Sequence, residues 1–219
     1  MERSRQAGSA REKLMDAAEV VIAEKGMEVS MREIAVAAGQ RNNSAVGYHF
    51  GGRDELIAAV IDRRMEDLEQ RRMTMLADLG DLAHPARVRD LLDVIVVPAL
   101  STPYEAQATH YARFVQRVQT HSAIATDILD DPGRPAMRIV VRGLADLLPP
   151  LPKPLERRRM MAMATCMFGF MAEYEHRGEL STPAGRRDCA RELCLVLEAV
   201  LAAPFASLAQ NSDSSDRLK

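Results

Sequence analysis

Between residues 30 and 56 the chain sets amides, a phenol, an imidazole and guanidinium groups at short spacing. Asn42 and Asn43 carry side-chain amides of the kind that pair with adenine edges in a DNA major groove. Asparagine is equally suited to making a turn, so both roles stay open. Tyr48 and His49 each hold a proton that a phosphate oxygen can accept, a contact that fixes position without reading sequence. Their rival roles are packing against the first helix for Tyr48 and complementing a helix C-terminus for His49. Arg32, Arg41 and Arg53 add cations close by, and each phosphate so neutralised steepens the salt dependence of binding. Taken singly, each is an ordinary solvated side chain.

These groups need elements to hold them at fixed distances, and the flanking residues supply the signals. Ser30 and Glu33 have capping-box spacing, which predicts a short helix that Gly39 stops. A third helix fits about residues 44–50 and is broken by Gly51 and Gly52. Asp54 and Glu55 then suit the start of a fourth. Two short helices joined by the turn Gln40-Arg41-Asn42-Asn43 have the layout of a helix-turn-helix, which places its second helix in a major groove. Upstream, Leu14, Ala17, Ala18, Val21 and Ile22 form the stripe of a one-sided first helix, with Ser9 and Glu12 as its predicted capping box and Gly26 at its end. Downstream, Ile57, Val60, Ile61, Met65 and Leu68 carry a long fourth helix to about Leu79, connecting two domains.

The remainder also repeats with helical period, which predicts an all-α chain. Val88, Leu91, Leu92, Ile95 and Ala99 make a stripe expected to end at Pro98 and Pro103. Ala108, Tyr111, Val115 and Val118 make another, and Met137, Val140, Val141, Leu144 and Leu148 the next. The proline-rich run 149–154 reads as a stiff connector. Residues 160–172 are nearly unbroken in apolarity, and such a helix must be covered on all sides. Cys189, Leu193, Val196, Leu197, Val200 and Leu201 form the last stripe, limited by Pro204, and 207–219 reads as a disordered tail.

Bulk properties narrow the function. The 219 residues carry a net charge of −2, so any attraction to nucleic acid must be local. The first thirteen residues give a modest bias, with Arg3, Arg5, Arg11 and Lys13 against Glu2 and Glu12. They read as an arm that follows a minor groove or as a disordered leader. No apolar run spans a bilayer, and the polar N-terminus lacks a signal region, which predicts a cytoplasmic protein with no membrane partner. The three cysteines, Cys166, Cys189 and Cys194, have no metal-ligand spacing and read as buried free thiols. For an enzyme the signals are thin. Carboxylate-bridged metal bundles need two Glu-x-x-His copies, and Glu173-Tyr174-Glu175-His176 occurs once. There is no Gly-x-Ser-x-Gly and no phosphate loop, so neither enzyme activity nor a cofactor or metal is expected.

Ala17-Ala18, Ile34-Ala35, Ala38-Gly39, Tyr48-His49-Phe50 and Asp54-Glu55-Leu56 stand at spacings that resemble the TetR family of bacterial transcriptional regulators. The resemblance covers about a quarter of the chain. It implies base-edge and groove contacts at Asn43, Ser44, Ala45, Gly47 and Tyr48, and phosphate contacts at His49, Arg32 and Arg53. Two departures stand out. The turn at 40–43 is one residue longer than the common family turn, and Gly47 replaces a bulky contact residue, lowering helix propensity. The resemblance further implies that the last two helices pair with their twins in a dimer.

These readings predict a helix-turn-helix domain over 1–55, a helical effector-binding and dimerisation domain over 56–206, and the tail. The predicted function is a homodimeric repressor released from a palindromic DNA operator by a small apolar effector. DNA contacts would come from Arg32, Arg41, Asn42, Asn43, Ser44, Ala45, Gly47, Tyr48, His49 and Arg53. The effector would sit among His110, Arg113, Arg117, Met167, Phe170, Met171 and Tyr174, since pockets are mostly apolar with few polar anchors. A helical adaptor without specific DNA binding is the alternative; it leaves Tyr48-His49-Phe50 unexplained.

Overall fold

The computed structural model describes residues 2–40, 45–80, 86–105, 110–119 and 133–204, with the side chains of 2–9, 45 and 102–105 outside the description. Nine α-helices and a 3-10 turn make up the described elements, with no strand among them. They are α1 (Glu2–Lys25), α2 (Met31–Ala37), α3 (Ala45–Phe50), α4 (Arg53–Gly80), α5 (Val88–Glu105), α6 (Tyr111–Gln119), α7 (Pro135–Leu147), α8 (Lys153–His176) and α9 (Pro183–Ala202); the turn is Glu179–Ser181. The all-α expectation is met. The expected tail lies outside the described residues.

Local chemistry explains most of these ends. Ser30 Oγ accepts from the Glu33 amide at 3.2 Å while Glu33 Oε2 accepts from the Ser30 amide at 2.9 Å, closing the predicted capping box on α2. Those bonds favour the charged carboxylate, led by the backbone one, and hold Glu33 below the ordinary carboxyl range. Gly26 and Gly39 stand at φ +87° and +69°, the left-handed conformation the chain needs to leave α1 and α2. Pro183 sits in the first turn of α9, and Thr182 caps it by accepting from the Gly185 amide at 3.0 Å.

Two predicted boundaries are corrected. Helix α1 starts at Glu2, so Ser9 lies inside it and the expected arm is helical. Arg3, Arg5, Gln6 and Ala7 are good helix formers and extend the helix past the predicted cap. Helix α5 does not end at Pro98 or Pro103 but runs to Glu105. Each proline removes one backbone donor. Packing compensates, because α5 lies against α4, α7 and α9, with Leu92, Val94, Ile95, Val96, Ala99 and Leu100 buried. Tertiary burial here overrides the local penalty.

One continuous hydrophobic cluster runs from Leu14 in α1 to Leu201 in α9. Helix α4 links the N-terminal helices to those that follow: Leu56, Ile57 and Val60 are buried at its start and Met65 and Leu68 further along, while the helix packs on α1 and α3 and on α5 and α7. Cys189 and Cys194 are buried free thiols and Cys166 is half-buried. Burial, then the Glu179 hydrogen bond, pushes the Cys189 thiol up to about 12, so it stays protonated. Among the described residues, no helix is long and apolar enough to cross a membrane.

Candidate nucleic-acid interface

Helix α3 has only six residues, so tertiary anchors must hold it. Val46 is 1% exposed and Phe50, one turn later, is half-buried with the Arg11 guanidinium 4.9 Å above its ring. These two positions turn one face inward. The opposite face carries Gly47 and Tyr48, and Tyr48 is 84% exposed. The alternative role for Tyr48, packing on the first helix, is therefore excluded. The His49 ring is half-exposed and meets Tyr48 edge-on, with centroids 5.0 Å apart and planes at 82°. A Cβ built on Gly47 meets nothing within 4 Å, so no neighbour in the free protein requires glycine there.

Helix α2 contributes Arg32, which is exposed, and Val36, 63% exposed one turn along the same face. Val36 was not singled out from the sequence. Its signal was available, because Ile34 and Ala35 fill the buried face and leave Val36 facing away. Arg41, Asn42, Asn43 and Ser44 lie outside the described residues, as does the Ala45 side chain. Arg53, expected at a phosphate, has Nη1 and Nη2 donating to the carbonyls of Met27 and Val29. It clamps the α1–α2 loop to the start of α4, a positioning role that spacing alone did not reveal.

Where α1, α4, α6 and α8 meet lies a seam of ion pairs. Glu19 of α1 is 3% exposed, accepts from Arg64 Nε and Nη2 of α4 at 3.1 Å each, and accepts from the His110 amide at 3.3 Å. Arg63 Nη2 lies 3.9 Å from the same carboxylate. From the other side, Glu175 of α8 accepts from the amides of Ala112 and Arg113 at 3.0 and 3.4 Å, and from Arg113 Nε at 2.9 Å. The start of α6 is thus held by two carboxylates on different helices, as free amides at a helix N-terminus favour. Further along α4, Arg72 is 1% exposed with Nη1 3.9 Å from Glu69 Oε2. Burial lowers the Arg72 pKa and raises that of its neighbour Tyr111.

The residues expected around an effector are brought together only in part. Helices α6 and α8 do pack on each other. Met167, Met171 and Tyr174 are buried at that level. Their polar companions are engaged by protein: Arg113 by Glu175, and Tyr174 through its hydroxyl, which donates to Glu192 Oε2 at 3.1 Å. His110 Nε2 lies 3.7 Å from Glu24 Oε1. Phe170 faces outward at 36% exposure and Arg117 is exposed.

Comparison with known proteins agrees with this geometry. The profile of the family described as "Bacterial regulatory proteins, tetR family" matches residues 14–60, which run from α1 into α4. No curated protein sequence matches the chain. Among solved structures, a Rhodococcus sp. protein described as a TetR-family transcriptional regulator superposes with a TM-score of 0.53 at 17% identity, over 88% of this chain and 99% of its own. NalD, described as the secondary repressor of the MexAB-OprM multidrug efflux pump in Pseudomonas aeruginosa, gives 0.47 at 19% identity, over 91% of this chain and 99% of its own. The first likeness shows a shared fold. Together with the profile match over residues 14–60, it shows an all-helical fold whose N-terminal segment is similar to the helix-turn-helix domain of the tetR family of bacterial regulatory proteins.

Proposed function

We propose that the chain is a homodimeric repressor that holds a palindromic operator and leaves it when a small apolar effector binds. The observation that carries this reading is Tyr48, 84% exposed on the outward face of a helix whose other face is anchored by Val46. An outward aromatic on the second helix of a helix-turn-helix is placed to meet a DNA groove. In this reading Asn42, Asn43, Ser44, Ala45, Gly47 and Tyr48 meet the groove, while Arg32, Arg41 and His49 meet phosphates. Arg53 holds the head in shape and adds positive potential.

Pairing through α8 and α9 is supported by apolar groups left on their outer faces: Met161 and Phe170 at 36% exposure and Leu195 at 58%. The apolarity of 160–172 called for cover on every side, and a second copy supplies it. Two heads then lie about one DNA turn apart, roughly 34 Å. The working division is a reading head over 1–55 and a body over 56–206.

The effector would enter between α6 and α8, near Met167 and Met171, where adaptable methionine side chains favour varied apolar ligands. The response would pass through α6. Its first turn is tied to the head by Glu19 and to the body by Glu175, so displacement of α6 reaches α1 directly. Such a ligand must favour one state over the other, or it shifts nothing.

A mobility-shift titration against the chain's own upstream region tests the reading. Tyr48→Ala and His49→Ala should each weaken the specific complex about tenfold while leaving the thermal transition in place. Equal affinity for the upstream region and a scrambled duplex would sink it and favour the adaptor role.

A further inference from the structure

A cleft of about 630 Å³ opens between α4, α5 and the start of α9. Five arginines line it, Arg71 from α4, Arg89 from α5, and Arg186, Arg187 and Arg191 from α9, against one carboxylate, Asp93. This is a concentration of one sign in a chain of net charge −2. Part of it is offset locally. Arg89 Nε lies 3.3 Å from Asp93 Oδ1 and its Nη1 3.9 Å from Glu198 Oε2, while Arg191 Nη1 lies 3.5 Å from Asp188 Oδ1. Among the described residues, the ion pairs of this lining engage Arg89 and Arg191 and leave Arg186 and Arg187 without a paired carboxylate. Arg186 Nη1 donates to the Leu180 carbonyl at 3.0 Å, which fixes the side chain without neutralising it.

The position of the arginines on α9 adds a second argument. A helix N-terminus carries partial positive charge, where acidic side chains are favoured and cations are not. The first turn of α9 holds no acidic residue, and Arg186 and Arg187 follow closely on the Thr182 cap. Guanidinium groups and helix dipole therefore reinforce each other at the cleft, an arrangement that an anion complements and water does not. The cleft is not part of the reading head. Arg71 stands 18 residues beyond Arg53 on α4, about 27 Å along the axis at 1.5 Å per residue.

We infer that this cleft is a binding site for a small organic polyanion bearing phosphate or carboxylate groups. Guanidinium forks match such groups bidentately, and five arginines line this one space. The volume falls in the range of small-molecule sites, and Met75 and Val97 give the organic part an apolar wall. The site is distinct from the region between α6 and α8 and does not rest on the effector reading.

Isothermal titration calorimetry of the full chain with pyrophosphate and with citrate, at constant ionic strength, tests it. The wild type should bind at least one probe, and Arg187→Glu/Arg191→Glu should weaken that binding tenfold or more. Both residues are exposed, so the variant should keep the wild-type helical circular dichroism. The milder Arg187→Ala, with about threefold weakening, serves if the double variant does not fold. Which probe binds tells phosphate from carboxylate. Binding of neither probe, or equal binding by wild type and folded variants, overturns the assignment.

Discussion

Replacing Glu19 with alanine should cost more stability than any other single polar truncation at the head–body junction. The carboxylate is 3% exposed, meets Arg64 through two hydrogen bonds of 3.1 Å, and takes the His110 amide as a third donor at 3.3 Å. Breaking a buried pair by removing one partner costs roughly 3–5 kcal/mol, because the remaining charge stays desolvated. The Arg64 side chain keeps 17% of its exposure and so retains some water, which puts the expected loss near the lower end, about 3 kcal/mol. For a chain of this size each kcal/mol moves the midpoint by about 2–4 °C, so the transition should fall by roughly 6–12 °C. Thermal unfolding followed at 222 nm reads it directly. A double-mutant cycle with Arg64→Ala should return a coupling of about 2 kcal/mol or more, since the two residues form one network. A loss below about 0.5 kcal/mol for Glu19→Ala, the size of an exposed ion pair, would refute the claim that this contact ties α1 to α4 and α6.

Three further outcomes follow from the same geometry. Arg53→Ala removes charged donors from the Met27 and Val29 carbonyls and should lower stability by about 2 kcal/mol in denaturant unfolding, well beyond the effect of Arg32→Ala on the exposed face of α2. Glu33→Gln should destabilise at neutral pH and progressively less below the ordinary carboxyl value of 4.5. The folded-state pKa lies below the unfolded one, so its contribution is present above that value and is lost as pH falls through the folded pKa; a deficit unchanged between pH 7 and pH 3 would contradict this. Phe170→Glu and Leu195→Glu should each place a charge in the proposed pairing surface and weaken dimerisation by about 3 kcal/mol, roughly a hundredfold, in analytical ultracentrifugation.

The helix-turn-helix was legible because its signals are local. Ser30 with Glu33, Gly39, and the glycines after Phe50 each act within a few residues, and all meet their expectation in the structure. Helix α5 was misjudged at Pro98 and Pro103 because its continuity depends on burial against α4, α7 and α9, which no local rule sees. The buried charges were hidden for a related reason. Glu19 falls between Met15 and Ala23 on the buried face of α1, and Arg72 continues the run Met65, Leu68 on α4. A charged residue at a stripe position is a readable sign of a buried pair, but its partner lies on another helix and only the fold supplies it. Arg53 is the opposite case: its place at the start of α4 invited a phosphate role, and only the path of the α1–α2 loop reveals the carbonyls it holds.

The central claim is that α3 reads a two-fold DNA site. Hydroxyl-radical footprinting of the full chain on its own upstream region tests it most directly. Two protected patches should appear, centred about one helical turn, roughly 10 base pairs, apart, both lost with Tyr48→Ala. Uniform protection, or a footprint unchanged by that substitution, would contradict it.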